Sequence, residues 1–238
     1  LKAQHAQTLL GQLWLLLNPI ALALIYYVLV LVLARRGEPS ADYFMYLVSG
    51  VFLFSFASTA VSSCTTSITG GGSFILNQRF PHIMLPISAV AAAVRRFVPA
   101  IILLFTFHIL IFGWPGAQIL MTVPAFLLIL VLVTGFGLVA ATAQVFFRDV
   151  TFAVPLVMRV LLYASPVLYR PEMVPSNLRV FLEWNPFYWP VAAWGGALSE
   201  PVAITLGSWL LALSWSLIAL AGGFFLFTRL QNSFAAKL

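Results

Sequence analysis

Six long apolar segments with almost no charged residues dominate this sequence and limit the folds open to it. A helix that crosses a lipid bilayer needs about 20 mostly apolar residues, and each segment supplies roughly that number. The segments cover residues 13–34, 43–68, 90–112, 119–147, 150–168 and 202–228. None alternates apolar with polar side chains as the strands of a membrane barrel do. We therefore expect an all-α membrane protein with six transmembrane helices.

The composition excludes the main alternatives to a membrane protein. Charged residues make up 8% of the 238 residues, whereas a soluble globular domain carries about 25%. Disorder requires low hydrophobicity, and here 62% of the residues are hydrophobic. The single cysteine, Cys64, excludes a disulfide framework and any metal site built from several cysteines. We therefore treat residues 1–238 as one transmembrane domain.

The basic residues predict the orientation of the bundle. Six spans place both termini on one side, and the cytoplasmic loops of membrane proteins are enriched in Lys and Arg. With cytoplasmic termini, the inner side carries Lys2, Arg79, Arg95, Arg96, Arg148, Arg229 and Lys237, and the outer side carries Arg35, Arg36, Arg170 and Arg179. This bias favours both termini inside. The sequence has no basic stripe that could track phosphates, which disfavours a nucleic-acid partner.

The segment between the second and third spans, residues 70–88, reads GGGSFILNQRFPHIMLPIS. Its glycines end the second span, while Pro81 and Pro86 keep the middle of the segment from merging with the third. Two interpretations remain open on composition. The segment lies in the membrane interface, or it forms a coupling helix that docks into a cytoplasmic partner.

Arg148 and Asp149 form an adjacent pair of opposite charges in a tight inner turn between the fourth and fifth spans. Taken alone, this pair is most simply a solvated anchor that fixes the membrane boundary. That the pair also contacts an ATP-binding partner is expected only from the family resemblance described below.

The outer segment between the fifth and sixth spans is rich in aromatic residues and carries helix signals. Ser176 can cap a short helix, and Asn185-Pro186 breaks the run before a second helix from about Phe187 to Leu198. Both helices are too short to cross a bilayer, so we expect two re-entrant or interfacial helices within residues 172–198. Each tryptophan in this region also fits the ordinary aromatic belt at the membrane surface.

A few charged or polar residues fall within or beside the apolar spans. Arg159 lies near the middle of the fifth span, where a buried arginine usually faces a cavity or a partner. Arg95 and Arg96 lie at the inner boundary of the third span, where they can snorkel to the surface or contact an anionic head group. His108 is more typical of a hydrogen-bonded packing residue than of a ligand.

Several catalytic signatures are missing from these 238 residues. The sequence contains no G-x-x-x-x-G-K-[ST] phosphate loop, no H-E-x-x-H or C-x-x-C motif and no G-x-S-x-G nucleophile. The spans contain no acidic residue, whereas a proton- or sodium-coupled transporter generally needs an ionisable relay there. If this protein moves a substrate against a gradient, we therefore expect the energy to come from another chain.

Five groups of short motifs occur in an order that resembles one family. They are Leu10-Gly11-Gln12-Leu13-Trp14 with Asn18-Pro19 in the first span, Arg79-Phe80-Pro81-His82 with Leu85-Pro86 after the second, Arg148-Asp149 before the fifth, Ser165-Pro166-Val167-Leu168-Tyr169 at its end, and Asn185-Pro186 in the outer loop. This pattern covers nearly the whole chain. It resembles the permease subunits of ABC-2-type polysaccharide exporters, which include O-antigen, capsule, teichoic-acid and mycobacterial galactan exporters.

The resemblance implies a bacterial plasma-membrane protein that forms a homodimer and pairs with two cytoplasmic ATP-binding subunits. ATP and Mg would bind those subunits, and no cofactor is expected on this chain. The cargo would be a lipid-diphosphate-linked polysaccharide moved from the cytoplasm to the outer side of the membrane. The residues expected to receive the ATPase stroke are Asn77, Gln78, Arg79, Phe80, Pro81, His82, Arg148 and Asp149.

We also predict a substrate path. Basic residues would contact the diphosphate, and aromatic side chains would stack on the apolar faces of sugar rings. The candidates are Arg95, Arg96, Arg159, Tyr26, Tyr27, Phe52, Phe56, Tyr163 and Trp184. Three alternatives stay open: an ABC-2 permease for a drug or lipid, a secondary transporter or channel, and a membrane-embedded enzyme.

Overall fold

Helices form most of the protein in a computed structural model that describes Leu17 and residues 19–22, 24–28, 41–71, 81–199, 202–234 and 237. None of these described residues lies in a β-strand. The α-helices are α1 Pro19–Val28, α2 Ala41–Thr65, α3 Ser67–Gly70, α4 Met84–Phe112, α5 Thr122–Phe146, α6 Val150–Ala164, α7 Ser176–Glu183, α8 Tyr188–Leu198 and α9 Leu206–Leu230. Short 3₁₀ helices cover Ala117–Met121, Pro171–Met173 and Gln231–Ser233.

Within the described ranges, four helical stretches are long and apolar enough to cross a membrane. They are Ala41–Thr65, Met84–Phe112, Ala117–Phe146 and Leu206–Ser233. The predicted all-α membrane fold is therefore confirmed in outline, whereas the count of six spans is not. The predicted first span, residues 13–34, falls partly outside the described residues, and α1 accounts for only its middle.

The fifth predicted span ends earlier than its apolar run. The sequence predicts a span over 150–168, but α6 is Val150–Ala164 and Ser165 takes an extended conformation with ψ of 152°. Pro166 explains this end, because the residue before a proline avoids the helical region. The 15 residues of α6 are fewer than a full span of about 20 requires.

The core lies around α2, most of whose residues are buried. This helix packs against α4, α5 and α8. At mid-height the rings of Phe56, Phe97 and Phe126 come together from α2, α4 and α5, with centroid separations of 5.0 to 5.8 Å. Cys64, which follows Phe56 in α2, contacts Gly137, which follows Phe126 in α5. The two helices therefore run in the same direction.

Two glycines allow α5 and α9 to pack backbone to backbone. A Cβ atom on Gly135 would lie 2.3 Å from the carbonyl carbon of Ala219, and one on Gly223 would lie 2.4 Å from the Gly135 oxygen. Small residues at such crossings bring membrane helices close enough for extensive van der Waals contact. Ser216 adds a hydrogen bond from its hydroxyl to the Leu128 carbonyl, at 3.2 Å.

The two ends of the bundle are named here after the predicted orientation. The inner end contains the turn Phe147–Asp149, which joins α5 to α6 with Arg148 and Asp149 both exposed. The outer end contains α7 and α8, the two short helices that the sequence places after Ser176 and Phe187. Every residue of α8 is buried, whereas no residue of α7 is. Their re-entrant character stays a prediction.

Candidate functional site

The irregular segment after α6, residues 165–169, is held at the outer end by two tyrosines of α2. The Tyr46 hydroxyl donates to the Pro166 carbonyl at 2.7 Å, and the Tyr43 hydroxyl donates to the Leu168 carbonyl at 2.6 Å. These bonds satisfy carbonyls that a helix would otherwise pair internally. Gly50 lies against Val167, and a Cβ at Gly50 would sit 3.4 Å from the Val167 backbone.

Asn185 connects the outer loop to the same segment. Its side-chain amide donates to the Ser165 hydroxyl at 2.9 Å, while its carbonyl oxygen accepts from the Phe187 N–H at 3.0 Å. The second bond is an Asx turn that directs the chain into α8. Two of the motif groups that carry the family resemblance, Ser165–Tyr169 and Asn185-Pro186, therefore meet in space.

Two side-chain hydrogen bonds join α8 to the long helices α2 and α4. The Trp194 indole N–H donates to the Ser49 carbonyl at 3.2 Å, and His108 Nδ1 lies 3.0 Å from the Leu198 carbonyl oxygen. His108 is thus the hydrogen-bonded packing residue that the sequence suggests. Gly195 is needed for this packing, because a Cβ there would lie 2.6 Å from the Tyr46 ring.

An ion pair between Asp42 and Arg170 joins the start of α2 to the outer loop. Both side chains are 13% exposed. The Arg170 guanidinium also lies 5.2 Å from the centre of the Tyr46 ring and 3.5 Å from the Ser199 hydroxyl. Asp42 lies in the first turn of α2, where a negative charge favours the helix dipole. Arg170 therefore ties together α2, the outer loop and the residue that follows α8.

Two buried hydroxyls at the outer end have no hydrogen-bond partner among the described residues, those of Tyr169 and Tyr188. Burial raises the pKa of the Tyr169 hydroxyl above its ordinary value, and the neighbouring Tyr188 adds to the rise. The Tyr169 hydroxyl therefore stays neutral at physiological pH, which suits its apolar surroundings.

At the inner end, the structure describes half of the residues predicted to couple to an ATPase. Asn77, Gln78, Arg79 and Phe80 lie outside the described residues. Pro81, Arg148 and Asp149 are exposed, and His82 is half-buried. Phe234 lies between the two groups, since its ring centre is 6.3 Å from that of His82 and 6.3 Å from that of Phe146.

Several aromatic residues of the predicted substrate path lie on the surface of the chain. The hydroxyls of Tyr26 and Tyr163 are 2.8 Å apart, and Tyr163 is 50% exposed. Arg159, one helical turn before Tyr163, is exposed too. Tyr27 is half-buried against Phe44, with centroids 4.9 Å apart. Trp184 is 65% exposed, with its ring 6.3 Å from Trp215.

Phe52 and Phe56, also predicted for the substrate path, lie instead in the hydrophobic core. They are 2% and 4% exposed. Because neighbouring helices cover both rings, neither ring has an exposed face that could stack on a sugar. The sequence could not separate these two from the surface aromatics, because α2 is apolar on every side and offers no polar face for reference.

The two arginines near the inner part of α4 differ in exposure. Arg95 is exposed, whereas Arg96 is half-buried and its Nε is enclosed without a partner among the described residues. Their contribution to a substrate path stays a prediction.

Sequence reasoning did not single out Tyr43, Tyr46 or Phe234. Tyr43 and Tyr46 are three residues apart and so share one face at the outer end of α2, which could have suggested a joint function. Phe234 is the one aromatic residue in the sequence QNSFAAK at 231–237, whose other residues are small or polar. This contrast could have suggested that Phe234 is buried.

Comparison with known proteins identifies the family. The sequence model of the ABC-2 type transporter family matches residues 2–195. The chain belongs to the ABC-2 type transporter family. It is therefore a multi-pass membrane protein and a transport component, and ABC-2 permeases normally work with an ATP-binding subunit.

Three similar proteins are named as permeases of O-antigen export systems. Two proteins of Klebsiella pneumoniae, each called O-antigen export system permease protein RfbA, are 26% and 25% identical to this chain. Both matches cover 82% of this chain and 74% of the relative. A protein of the same name from Myxococcus xanthus is 28% identical, with 78% of this chain and 72% of the relative covered.

The Asp42–Arg170 pair should contribute measurably to the stability of this permease. A double-mutant cycle with Asp42→Ala and Arg170→Ala is expected to give a coupling of about 1–3 kcal/mol, because the pair is largely shielded from solvent and belongs to a network. The cycle is measured by thermal unfolding of the purified protein in detergent. The control is Arg179–Glu183, a more exposed pair at 2.7 Å one helical turn apart, whose side chains are 37% and 30% exposed, and for which about 0.3–0.5 kcal/mol is expected. Equal couplings for the two pairs would contradict this interpretation.

Proposed function

We propose that this chain is the membrane-spanning subunit of an ATP-driven exporter that moves a lipid-diphosphate-linked polysaccharide out of the bacterial cytoplasm. The observation that carries the proposal is its similarity, over about four-fifths of its length, to permeases named for O-antigen export. The Ser165–Tyr169 and Asn185-Pro186 motifs support it, because they form one hydrogen-bonded unit rather than chance matches scattered over the fold.

The proposal includes two copies of this chain and two ATP-binding subunits, with ATP and Mg bound by the latter. The inner surface suits such a partner, because Pro81, Arg148 and Asp149 are exposed there. ATP-driven closure of the partner subunits would push on this surface and rearrange the spans. The termini would lie in the cytoplasm and the complex in the plasma (inner) membrane, as the charge bias favours.

The substrate path in this proposal follows the exposed face of α1 and α6. Tyr26 and Tyr163 offer ring faces and hydroxyls to sugars, and Arg159 lies on the same side of α6 as Tyr163. Arg95 and Arg96 would meet the diphosphate at the inner mouth, while Trp184 lies near the exit. Tyr27 would contribute a partly covered ring, and Phe52 and Phe56 would act only by keeping the α2 core packed.

The direct test is reconstitution of the complex. We expect an ATP-binding subunit to co-purify with this permease when both are expressed together. In proteoliposomes, the complex should move a polyprenyl-diphosphate-linked oligosaccharide across the membrane with ATP, and vanadate should stop the movement. Vanadate-insensitive transport without an ATPase partner would indicate a secondary transporter. ATP-driven movement of a drug or phospholipid, with none of the glycan, would support the alternative ABC-2 function.

The substrate path is tested separately by alanine substitution. We expect Tyr163→Ala to lower glycan export about two- to tenfold, the amount expected for losing one aromatic contact. The measurement is initial export rate at equal amounts of purified complex. Trp114→Ala is the control, since Trp114 is 88% exposed, the highest value among the tryptophans that the structure describes, and lies in the connection between α4 and the Ala117–Met121 helix. Unchanged export in Tyr163→Ala would place the path elsewhere.

A further inference from the structure

A cluster of aromatic rings at the inner end surrounds Phe234. This residue is completely buried, although it follows the last long helix in a stretch of small and polar side chains. Its ring centre lies 5.3 Å from that of Phe227, 6.3 Å from that of Phe146 and 6.3 Å from that of His82. Ile68, Leu138 and Val145 fill the space around these rings.

The three ring neighbours of Phe234 come from three separate parts of the fold. His82 precedes α4 and belongs to the predicted coupling segment. Phe146 is the last residue of α5 and directly precedes the turn that carries Arg148 and Asp149. Phe227 lies in the last turn of α9. The Phe234 ring therefore packs against His82, in one segment predicted to receive the ATPase stroke, and against Phe146, two residues before Arg148 in the other. These two segments are far apart in sequence.

The backbone holds Phe234 in place relative to α9. The 3₁₀ helix Gln231–Ser233 continues directly from α9, and the Phe234 N–H donates to the Gln231 carbonyl at 3.2 Å. The Lys237 N–H donates in turn to the Phe234 carbonyl at 2.9 Å. If His82 moves toward Phe234, the Phe234 ring must press on Phe146 or Phe227, because packed interiors resist compression.

We propose that Phe234 is a positioning residue that transmits movement of the coupling segment at His82 to the inner ends of α5 and α9. This inference rests on the proposed ATP-driven transport and adds to it the residue through which the two inner segments act together. Ile68, Leu138 and Val145 also fill space in this cluster. Among the described residues, however, Phe234 is the one whose ring contacts both the His82 ring and the Phe146 ring.

The test follows ATP-dependent movement without reference to any cargo. A reporter, Val160→Cys, is placed on the exposed face of α6 in a Cys64→Ser background, in which the single native cysteine is removed. The permease is purified with its ATP-binding subunit, and the rate at which a water-soluble maleimide modifies the reporter is measured with and without ATP and vanadate. The variant is Phe234→Ala. Phe225→Ala is the control, because Phe225 is 61% exposed on α9, the long helix that precedes Phe234.

We expect ATP and vanadate to change the reporter rate in the unaltered and Phe225→Ala complexes. In Phe234→Ala the change should shrink about tenfold, within the range of couplings between distant sites, while ATP hydrolysis continues. Phe234→Leu keeps apolar volume without a ring. It replaces Phe234→Ala if the latter does not fold, with a smaller loss of response expected.

Three results would overturn the inference. An unchanged response in the Phe234 variants would show that movement bypasses this ring. Equal losses of response and ATP hydrolysis would show that Phe234 acts only on the amount of folded complex. If the unaltered complex gives no ATP-dependent response, the proposed ATP-driven function fails together with the inference. If the unaltered complex responds normally and the Phe234 variants also respond normally, only the inference about Phe234 fails and the proposed function stands.

Discussion

The cost of leaving buried backbone polar groups unpaired governs the outer half of this protein. Buried backbone that is not helical is stable only where other groups bond its N–H and carbonyl groups. Here the chain leaves the helical conformation after Ala164, and tyrosine hydroxyls of α2 donate to the freed carbonyls of Pro166 and Leu168. At the end of α8, His108 lies within bonding distance of the Leu198 carbonyl. The segment after α6 and the end of α8 therefore depend on side chains of the long helices α2 and α4.

Packing of aromatic rings connects the parts of the inner half. The rings of His82, Phe146 and Phe227 meet at Phe234, so segments that are distant in sequence form one apolar cluster. The two ends of the bundle are linked by α2, which bonds the outer loop through Tyr43 and Tyr46 and contacts α5 through Cys64 and Gly137. This continuity gives a transporter of the ABC-2 family a physical route between its two surfaces.

Much of the helical fold could be predicted from sequence, and much of the candidate site could not. Long apolar runs identify α2, α4, α5 and α9, and prolines and Asn185 mark the breaks around α7 and α8. The length of α6 was overestimated because hydropathy does not register the break at Pro166. Phe52 and Phe56 are predicted from sequence to line the substrate path, yet they are buried in the core, because an apolar helix shows no polar face that separates a core position from a cavity position. The pairing of Asp42 with Arg170 could not be predicted, because these residues are far apart in sequence and only the tertiary fold brings them together.

Hydrogen exchange in lipid nanodiscs tests directly whether the α2 tyrosines hold the break after α6. We expect slow exchange of the Val167 amide in the unaltered protein, where its N–H donates to the Ser165 carbonyl at 2.7 Å. In a Tyr43→Phe/Tyr46→Phe variant the exchange should be about tenfold faster or more, because two hydrogen bonds are lost. Tyr169→Phe, which removes a hydroxyl without a partner among the described residues, should leave exchange unchanged. Equal exchange in the double variant and the unaltered protein would contradict the account.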